Sequence, residues 1–135
     1  MSNGTISSAG RSIGAVLSGY AILVLGALIF QDALFGRLTY HSPPFDLVIG
    51  GGLTVVSAVV GGYVLAIVAP KRPMLHAVPL AVWLCFETTM LYLSGDSPLW
   101  FDILTGGSNI IGVFVGTYVW LRLDEFQNQS SVLEQ

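Results

Sequence analysis

The sequence predicts an all-α polytopic membrane protein, a bundle of four transmembrane helices. Hydrophobic residues make up 53% of the 135 positions and charged residues only 10%, and the mean hydropathy is +0.75. Soluble domains contain about 25% charged residues, so lipid is the expected solvent for most of this chain. The apolar residues also fall into four runs, each close to the roughly 20 residues that a helix needs to cross a bilayer.

The four predicted transmembrane helices cover residues 13–34, 47–69, 75–93 and 99–121. The first run is longer than the apolar region of a signal peptide, which has about 7–15 residues, so we interpret it as a helix that stays in the membrane. Pro79 is expected in the first turns of the third helix, where a missing N–H costs little. Residues 1–12 and 122–135 remain as short tails, and no separate soluble domain is expected.

Basic residues near the helix ends predict the orientation, because Lys and Arg are retained on the cytoplasmic side of a membrane. Four of them share one side of the predicted bundle: Arg11, Lys71, Arg72 and Arg122. The other side has Arg37 alone, and its last loop contributes only Asp96 and Asp102. Both termini are therefore expected in the cytoplasm. The chain is similar in general style to small four-helix membrane proteins of bacteria, which implies the bacterial inner membrane.

An internal repeat is predicted by an offset of 55 residues, which aligns residues 51–64 with residues 106–119 at six identities in fourteen positions. We interpret it as a duplicated helical hairpin, giving two parallel repeats related by an axis along the membrane normal. Chance similarity between Gly- and Val-rich helices is the alternative. The offset pairs Gly61 with Gly116, which we expect to be equivalent helix contacts.

Glu87 is the strongest single indication of a functional site. It lies about 9 Å along the predicted helix from Leu93, at about 1.5 Å per residue, and ionisable groups within transmembrane helices are costly. One interpretation is a proton or cation site shared with Asp32, which the 55-residue offset aligns with Glu87. The other is structural, with Glu87 protonated or paired with Arg37 or with a neighbouring threonine.

Three further groups of residues have predicted roles. Small residues at four-residue spacing allow close helix packing, within the bundle or in an oligomer; they are Gly10, Gly14 and Ser18, then Thr54, Ala58, Gly62 and Ala66, then Ser108, Gly112 and Gly116. Lys71, Arg72 and His76 form a basic turn that sets topology, with contact to anionic lipid headgroups as the alternative. We interpret five aromatic residues as interfacial anchors: Trp83, Trp100, Trp120, Tyr40 and Tyr92.

The function expected from these features is that of an accessory or structural membrane protein, which packs against itself or within a larger membrane complex. The alternative is a small proton- or cation-coupled transporter or channel that uses Glu87 and possibly Asp32. No nucleophile–base pair, cofactor motif or metal-ligand spacing is visible, so we expect neither an enzyme nor a cofactor or metal. A net charge of -3 gives no reason to expect a nucleic-acid partner.

Overall fold

The computed structural model describes residues 3–36, 38–39, 41–95 and 97–133. They form four helices, α1 (Asn3–Ala27), α2 (Pro44–Val68), α3 (Pro73–Ser94) and α4 (Leu99–Leu133), and α1 continues directly into a π-helical segment, Leu28–Ala33. No strand occurs in this part of the chain. Arg37, Tyr40 and Asp96, on which some sequence-based predictions depend, lie outside the described residues.

All four helices are long and apolar enough to cross a membrane, which confirms that part of the prediction. The qualifying stretches are Ala9–Ala33, Pro44–Val68, Pro73–Ser94 and Leu99–Ser130. The shortest has 22 residues, which is about 33 Å of helix against roughly 30 Å of hydrocarbon. Large apolar side chains cover the outside of the bundle, and Leu34, Phe45 and Leu93 are each more than 60% exposed. Such a surface suits lipid rather than water.

The helix ends differ from the predicted ones where the chain becomes polar. α1 begins at Asn3 rather than at residue 13, and α4 continues to Leu133 rather than ending at residue 121. Apolar runs report which residues suit lipid, whereas a helix continues until a residue breaks it. The end of α4 contains neither Gly nor Pro, and an i,i+3 ion pair between Arg122 and Glu125 supports it.

Pro79 lies inside α3 rather than in its first turn. α3 begins at Pro73, where the missing N–H is harmless, and Pro79 follows six residues later within the helix. Because proline has no N–H, the carbonyl of Leu75 cannot accept the usual helical hydrogen bond from that position. The prediction placed Pro79 too near the helix start because the apolar run begins after Pro73.

The helices pack in the order α1, α2, α4, α3, with α2 and α4 as the central pair. The largest contact joins α2 to α4, and α1 packs mainly on α2 and α3 mainly on α4. Ala58 and Leu65 of α2, Leu80 of α3 and Val113 of α4 are fully buried in the shared core. Thr117 adds a hydrogen bond from its hydroxyl to the carbonyl of Gly62, at 3.1 Å. α2 and α4 run parallel, so the α1–α2 and α3–α4 loops lie at one end of the bundle and the α2–α3 turn lies at the other.

Glycines allow the close approach of α2 and α4. A Cβ on Gly62 would overlap the carbonyl oxygen of Val113, and one on Gly116 would overlap that of Val59. A Cβ on Gly112 would lie 3.0 Å from the Cβ of Ala58. These are backbone or short side-chain atoms that cannot rotate away, so the absence of a side chain sets the distance between the helices.

The other small residues singled out by their spacing have different surroundings. A Cβ on Gly10 or Gly14 would meet no atom within 4 Å, and the glycines of α1 that contact α2 are Gly19 and Gly26. Ser18 donates a hydrogen bond to the carbonyl of Ala15 in its own helix. Ser108 is half-buried.

Gly61 and Gly116 lie in different interfaces, which differs from the expectation that they are equivalent contacts. A Cβ on Gly61 would lie 2.7 Å from the carbonyl oxygen of Gly19 on α1, whereas Gly116 faces α2. Two helices pack against α2 on different faces, so adjacent glycines divide between them: Gly61 faces α1 and Gly62 faces α4.

Candidate functional site

A cavity of about 580 Å³ lies among the four helices, within the usual range of roughly 300–1,000 Å³ for small-molecule sites. It is lined by the end of α1 and the π-helical segment, the middle of α2, the end of α3 and the start of α4. It therefore occupies the half of the bundle that contains the α1–α2 and α3–α4 loops. Its polar lining residues are Tyr20, Gln31, Asp32, Thr54, Glu87, Thr88, Asp102, Thr105 and Asn109.

Asp102 is the most deeply buried charged residue of this cavity. It lies in the first turn of α4, where the helix dipole favours a negative charge, and is only 5% exposed. The hydroxyl of Ser97 donates a hydrogen bond to its Oδ1. Its Oδ2 is buried and has no hydrogen-bond partner among the described residues. A carboxylate oxygen in this condition is costly unless a cation or a proton neutralises it.

Asn109 repeats this feature two turns further along α4. Its Oδ1 is also buried without a hydrogen-bond partner among the described residues. Asp102, Thr105 and Asn109 are three and four residues apart, so they lie on one face of the helix, and all three line the cavity. This face of α4 therefore lines the cavity and contains two buried oxygen acceptors without a hydrogen-bond partner among the described residues.

Glu87 reaches across the bundle to α1. It accepts a hydrogen bond from the hydroxyl of Tyr20, and Arg37, the ion-pair partner considered from the sequence, lies outside the described residues. Thr88 and Thr89 instead donate to the carbonyls of Leu84 and Cys85 in their own helix. Tyr20 thus holds one Glu87 oxygen in place where α1 meets α3.

Asp32 and Gln31 line the cavity from the π-helical segment. The last turn of this segment is closed by a hydrogen bond from the N–H of Leu34 to the carbonyl of Ile29, at 3.0 Å. Such π-helical segments are frequent at functional sites. Gln31 is 3.4 Å from the hydroxyl of Thr54 on α2. The structure therefore brings Asp32 and Glu87 to the same cavity, although they are 55 positions apart.

The charged residues that line the cavity are all acidic among the described residues. Asp32, Glu87 and Asp102 line it, and none of the described lining residues is basic. The described residues contain no group of three or more His, Cys, Asp or Glu side chains close enough to hold a metal ion together. The three carboxylates come from different segments of the chain: the π-helical segment, α3 and α4.

The basic turn between α2 and α3 lies at the opposite end of the bundle. Lys71 and Arg72 are exposed, and Arg72 has a left-handed backbone with φ 48° immediately before Pro73. The ring of His76 bridges the carbonyl of Arg72, at 3.3 Å, and the hydroxyl of Ser12 on α1, at 3.0 Å. The turn therefore joins α1 to α3 and takes no part in the cavity.

Sequence reasoning missed several lining residues. The sequence places Asp102 in a loop and Trp83 at the membrane interface, and it does not connect Tyr20, Thr54 or Asn109 with Glu87, whereas all five line the cavity. One signal was available, because polar residues inside apolar helices are expected to face protein rather than lipid. Which of them face the same space depends on the order in which the helices pack.

No protein family matches this chain, and neither a curated protein nor a solved structure shows significant similarity to it. The fold and the site define its class: a four-helix protein with four helices of membrane-spanning length and an acidic cavity in one half of the bundle.

Proposed function

We propose that this protein is a small membrane transporter that binds a cation in the cavity. Asp102 is the principal anionic ligand, and Glu87 and Asp32 supply further negative charge. The observation that carries the proposal is the Oδ2 atom of Asp102, which is buried and unpartnered in a cavity whose described lining residues are acidic but not basic. Binding a cation there would offset the cost of burying the carboxylate.

The distribution of polar groups supports a binding role over a purely structural one. A structural carboxylate is expected to satisfy its oxygens with neighbouring donors. Glu87 has Tyr20 as a donor, but Asp102 leaves one oxygen open, and Asn109 does the same on the same helix face. Polar atoms without a hydrogen-bond partner, on residues that line one cavity, are typical of a site where a ligand supplies the missing partner.

The proposal includes an orientation and a duplicated origin. With both termini in the cytoplasm, the cavity lies in the outer half of the membrane and the basic turn at Lys71 and Arg72 on the inner side. The 55-residue offset aligns Asp32 with Glu87 and Thr54 with Asn109, and all four line the cavity. A cavity shared by two related hairpins, with α2 and α4 at the centre, is the arrangement expected of parallel repeats.

Proteoliposomes test the proposal. An outward gradient of Na⁺, K⁺ or tetraethylammonium is imposed, and an entrapped pH-sensitive dye reports the exchange of the cation for protons through the wild-type protein. Asp102→Asn keeps the size of the side chain but removes its charge, and should lower the rate at least about tenfold, the effect of roughly 1.4 kcal/mol. Asp46→Asn is the matched control, because Asp46 lies in the first turn of α2 at the same end of the bundle but does not line the cavity.

The control should keep the wild-type rate. Wild-type liposomes that exchange cations no faster than empty ones would overturn the proposal, as would Asp102→Asn liposomes that match the wild type.

Self-assembly, alone or within a larger membrane complex, is the second candidate function. The observation that favours it is the open space at Gly10 and Gly14, which are four residues apart on α1 and have no atom from another helix near their Cβ positions. Small residues at this spacing allow helices of separate chains to pack closely. An oligomer formed through α1 is compatible with transport, because these glycines lie outside the cavity.

A further inference from the structure

We infer that the cation is an amphiphilic organic cation, which reaches the cavity from the lipid through a lateral opening between α1 and α3. This inference rests on the proposed function and names the chemical class of its substrate.

The opening follows from the way in which α1 and α3 contact each other. They meet at Ser12 and His76 near one end of the bundle and again at Tyr20 and Glu87 near the middle. Beyond Tyr20 the cavity separates them. Its wall there is apolar and open to the surroundings, because the exposed fractions of the lining side chains are high: Val24 36%, Leu28 50%, Met90 46% and Leu91 55%. In a membrane these side chains would face acyl chains.

The floor of the cavity has the opposite character. Asp102 and Thr54 are buried, and the unpartnered oxygens of Asp102 and Asn109 lie on the α4 side. The cavity therefore has buried polar groups on its α4 side and an exposed, mostly apolar wall on its α1–α3 side, where Asp32 is an exposed carboxylate. A bare inorganic ion would use only the floor. A molecule with a positively charged group and an apolar body matches both parts.

Aromatic rings beside Glu87 strengthen the assignment. Tyr20 and Trp83 pack edge to face with ring centroids 6.1 Å apart, and Trp83 and Phe86 are 5.7 Å apart. All three line the cavity. Aromatic faces attract organic cations through their quadrupoles and also cover apolar groups, which is why such rings recognise quaternary ammonium ligands. A carboxylate adjoining aromatic rings selects a ligand that is both cationic and apolar.

The size of the cavity agrees with an organic ligand. Its 580 Å³ is on the order of twenty times the roughly 30 Å³ that one water molecule occupies in the liquid. An inorganic cation would leave most of this volume as water against the apolar wall, whereas an organic cation would fill it and bury the wall.

Binding of tetraphenylphosphonium to the wild-type protein in lipid nanodiscs tests the inference, with empty nanodiscs as the blank for lipid partitioning. We expect saturable binding. Tetraphenylborate, which has nearly the same shape and the opposite charge, should show no saturable binding when it is tested alone. Asp102→Asn should weaken binding at least about tenfold by removing the charge of the floor, and Trp83→Ala about threefold to tenfold by removing one aromatic face.

Matched controls separate the ligand class from general damage. Trp120→Ala removes a tryptophan of α4 that does not line the cavity, and Asp46→Asn removes a carboxylate outside it; both should bind tetraphenylphosphonium as the wild type does. Trp83 is 49% exposed, so its replacement is not expected to unfold the protein.

The outcomes distinguish this inference from the function on which it rests. Absence of saturable tetraphenylphosphonium binding, or equally tight saturable binding of tetraphenylborate when it is tested alone, would overturn the organic-cation inference. If exchange of Na⁺ or K⁺ for protons still depended on Asp102, the cation transporter would stand with an inorganic substrate. A wild-type protein that shows neither saturable tetraphenylphosphonium binding nor cation–proton exchange would overturn both the inference and the proposed function.

Discussion

Replacing Gly116 by alanine should push the central helices apart. Its new Cβ would overlap the carbonyl oxygen of Val59 and lie 2.8 Å from the Val59 carbonyl carbon and 2.9 Å from the Tyr63 nitrogen, where ordinary contacts begin at 3.4 Å. All three are backbone atoms of α2, so no side-chain rotation relieves the clash. The helices must therefore separate by on the order of 1 Å, which forfeits a quarter to a half of each facing dispersion contact.

The expected cost follows from two contributions. Overpacking of a close interface costs about 1–3 kcal/mol. Separation also stretches the hydrogen bond from Thr117 to Gly62, which is already 3.1 Å long, and such bonds in bilayers contribute about 0.6 kcal/mol. Gly107→Ala is the matched control on the same helix, because a Cβ there would meet no atom within 4 Å. Both variants gain the same helix propensity, so Gly116→Ala should be less stable than Gly107→Ala by about 2–3 kcal/mol.

Reversible unfolding of the two variants in mixed micelles, followed by circular dichroism, measures this difference in the free energy of unfolding. Indistinguishable unfolding curves for Gly116→Ala and Gly107→Ala would refute the close backbone contact between α2 and α4.

Three further predictions concern other parts of the molecule. Glu87→Gln keeps an acceptor for its tyrosine partner and should preserve the free energy of unfolding, whereas Glu87→Leu should lose about 1 kcal/mol in micelles; equal losses would contradict that hydrogen bond. In a Cys85→Ser background, a cysteine at Ser130→Cys should resist an impermeant thiol reagent in intact cells, and labelling would reverse the orientation. Gly14→Leu should leave the monomer's stability unchanged but disperse any oligomer formed through α1, as measured by native mass spectrometry; an unchanged oligomer would exclude that interface.

The sequence predicts the number of helices because the bilayer thickness fixes the length of each one, so apolar runs of that length can be counted. Four apolar runs of membrane-spanning length leave little choice of secondary structure, and all four helices are found. The helix ends are less predictable, since α4 continues through polar residues to Leu133. Polarity marks the boundary of the lipid, whereas helix termination depends on breakers such as Gly95, which ends α3 with φ 70°.

The candidate site could be predicted only in part. Glu87 and Asp32 are recognisable because a carboxylate is conspicuous near an apolar run, and the 55-residue offset pairs them. Asp102 and Tyr20 acquire their roles through the packing order, which sets α1 and α3 on either side of the cavity and buries the start of α4. Local sequence carries no information on that order, so the burial of Asp102 could not be inferred from its position after Pro98.

The π-helical segment Leu28–Ala33 has a consequence for the ancestry of this chain. A turn closed from residue i to residue i−5 holds one residue more than an α-helical turn, so it absorbs a single inserted residue without ending the helix. Deleting one residue between Ala27 and Leu34 would remove this extra residue and restore the α-helical hydrogen-bond pattern, and the residues after the deletion would keep nearly the same orientation. Homologues with one residue fewer in this interval are therefore expected to keep the α1–α2 turn in place and to lack only the widened helical turn.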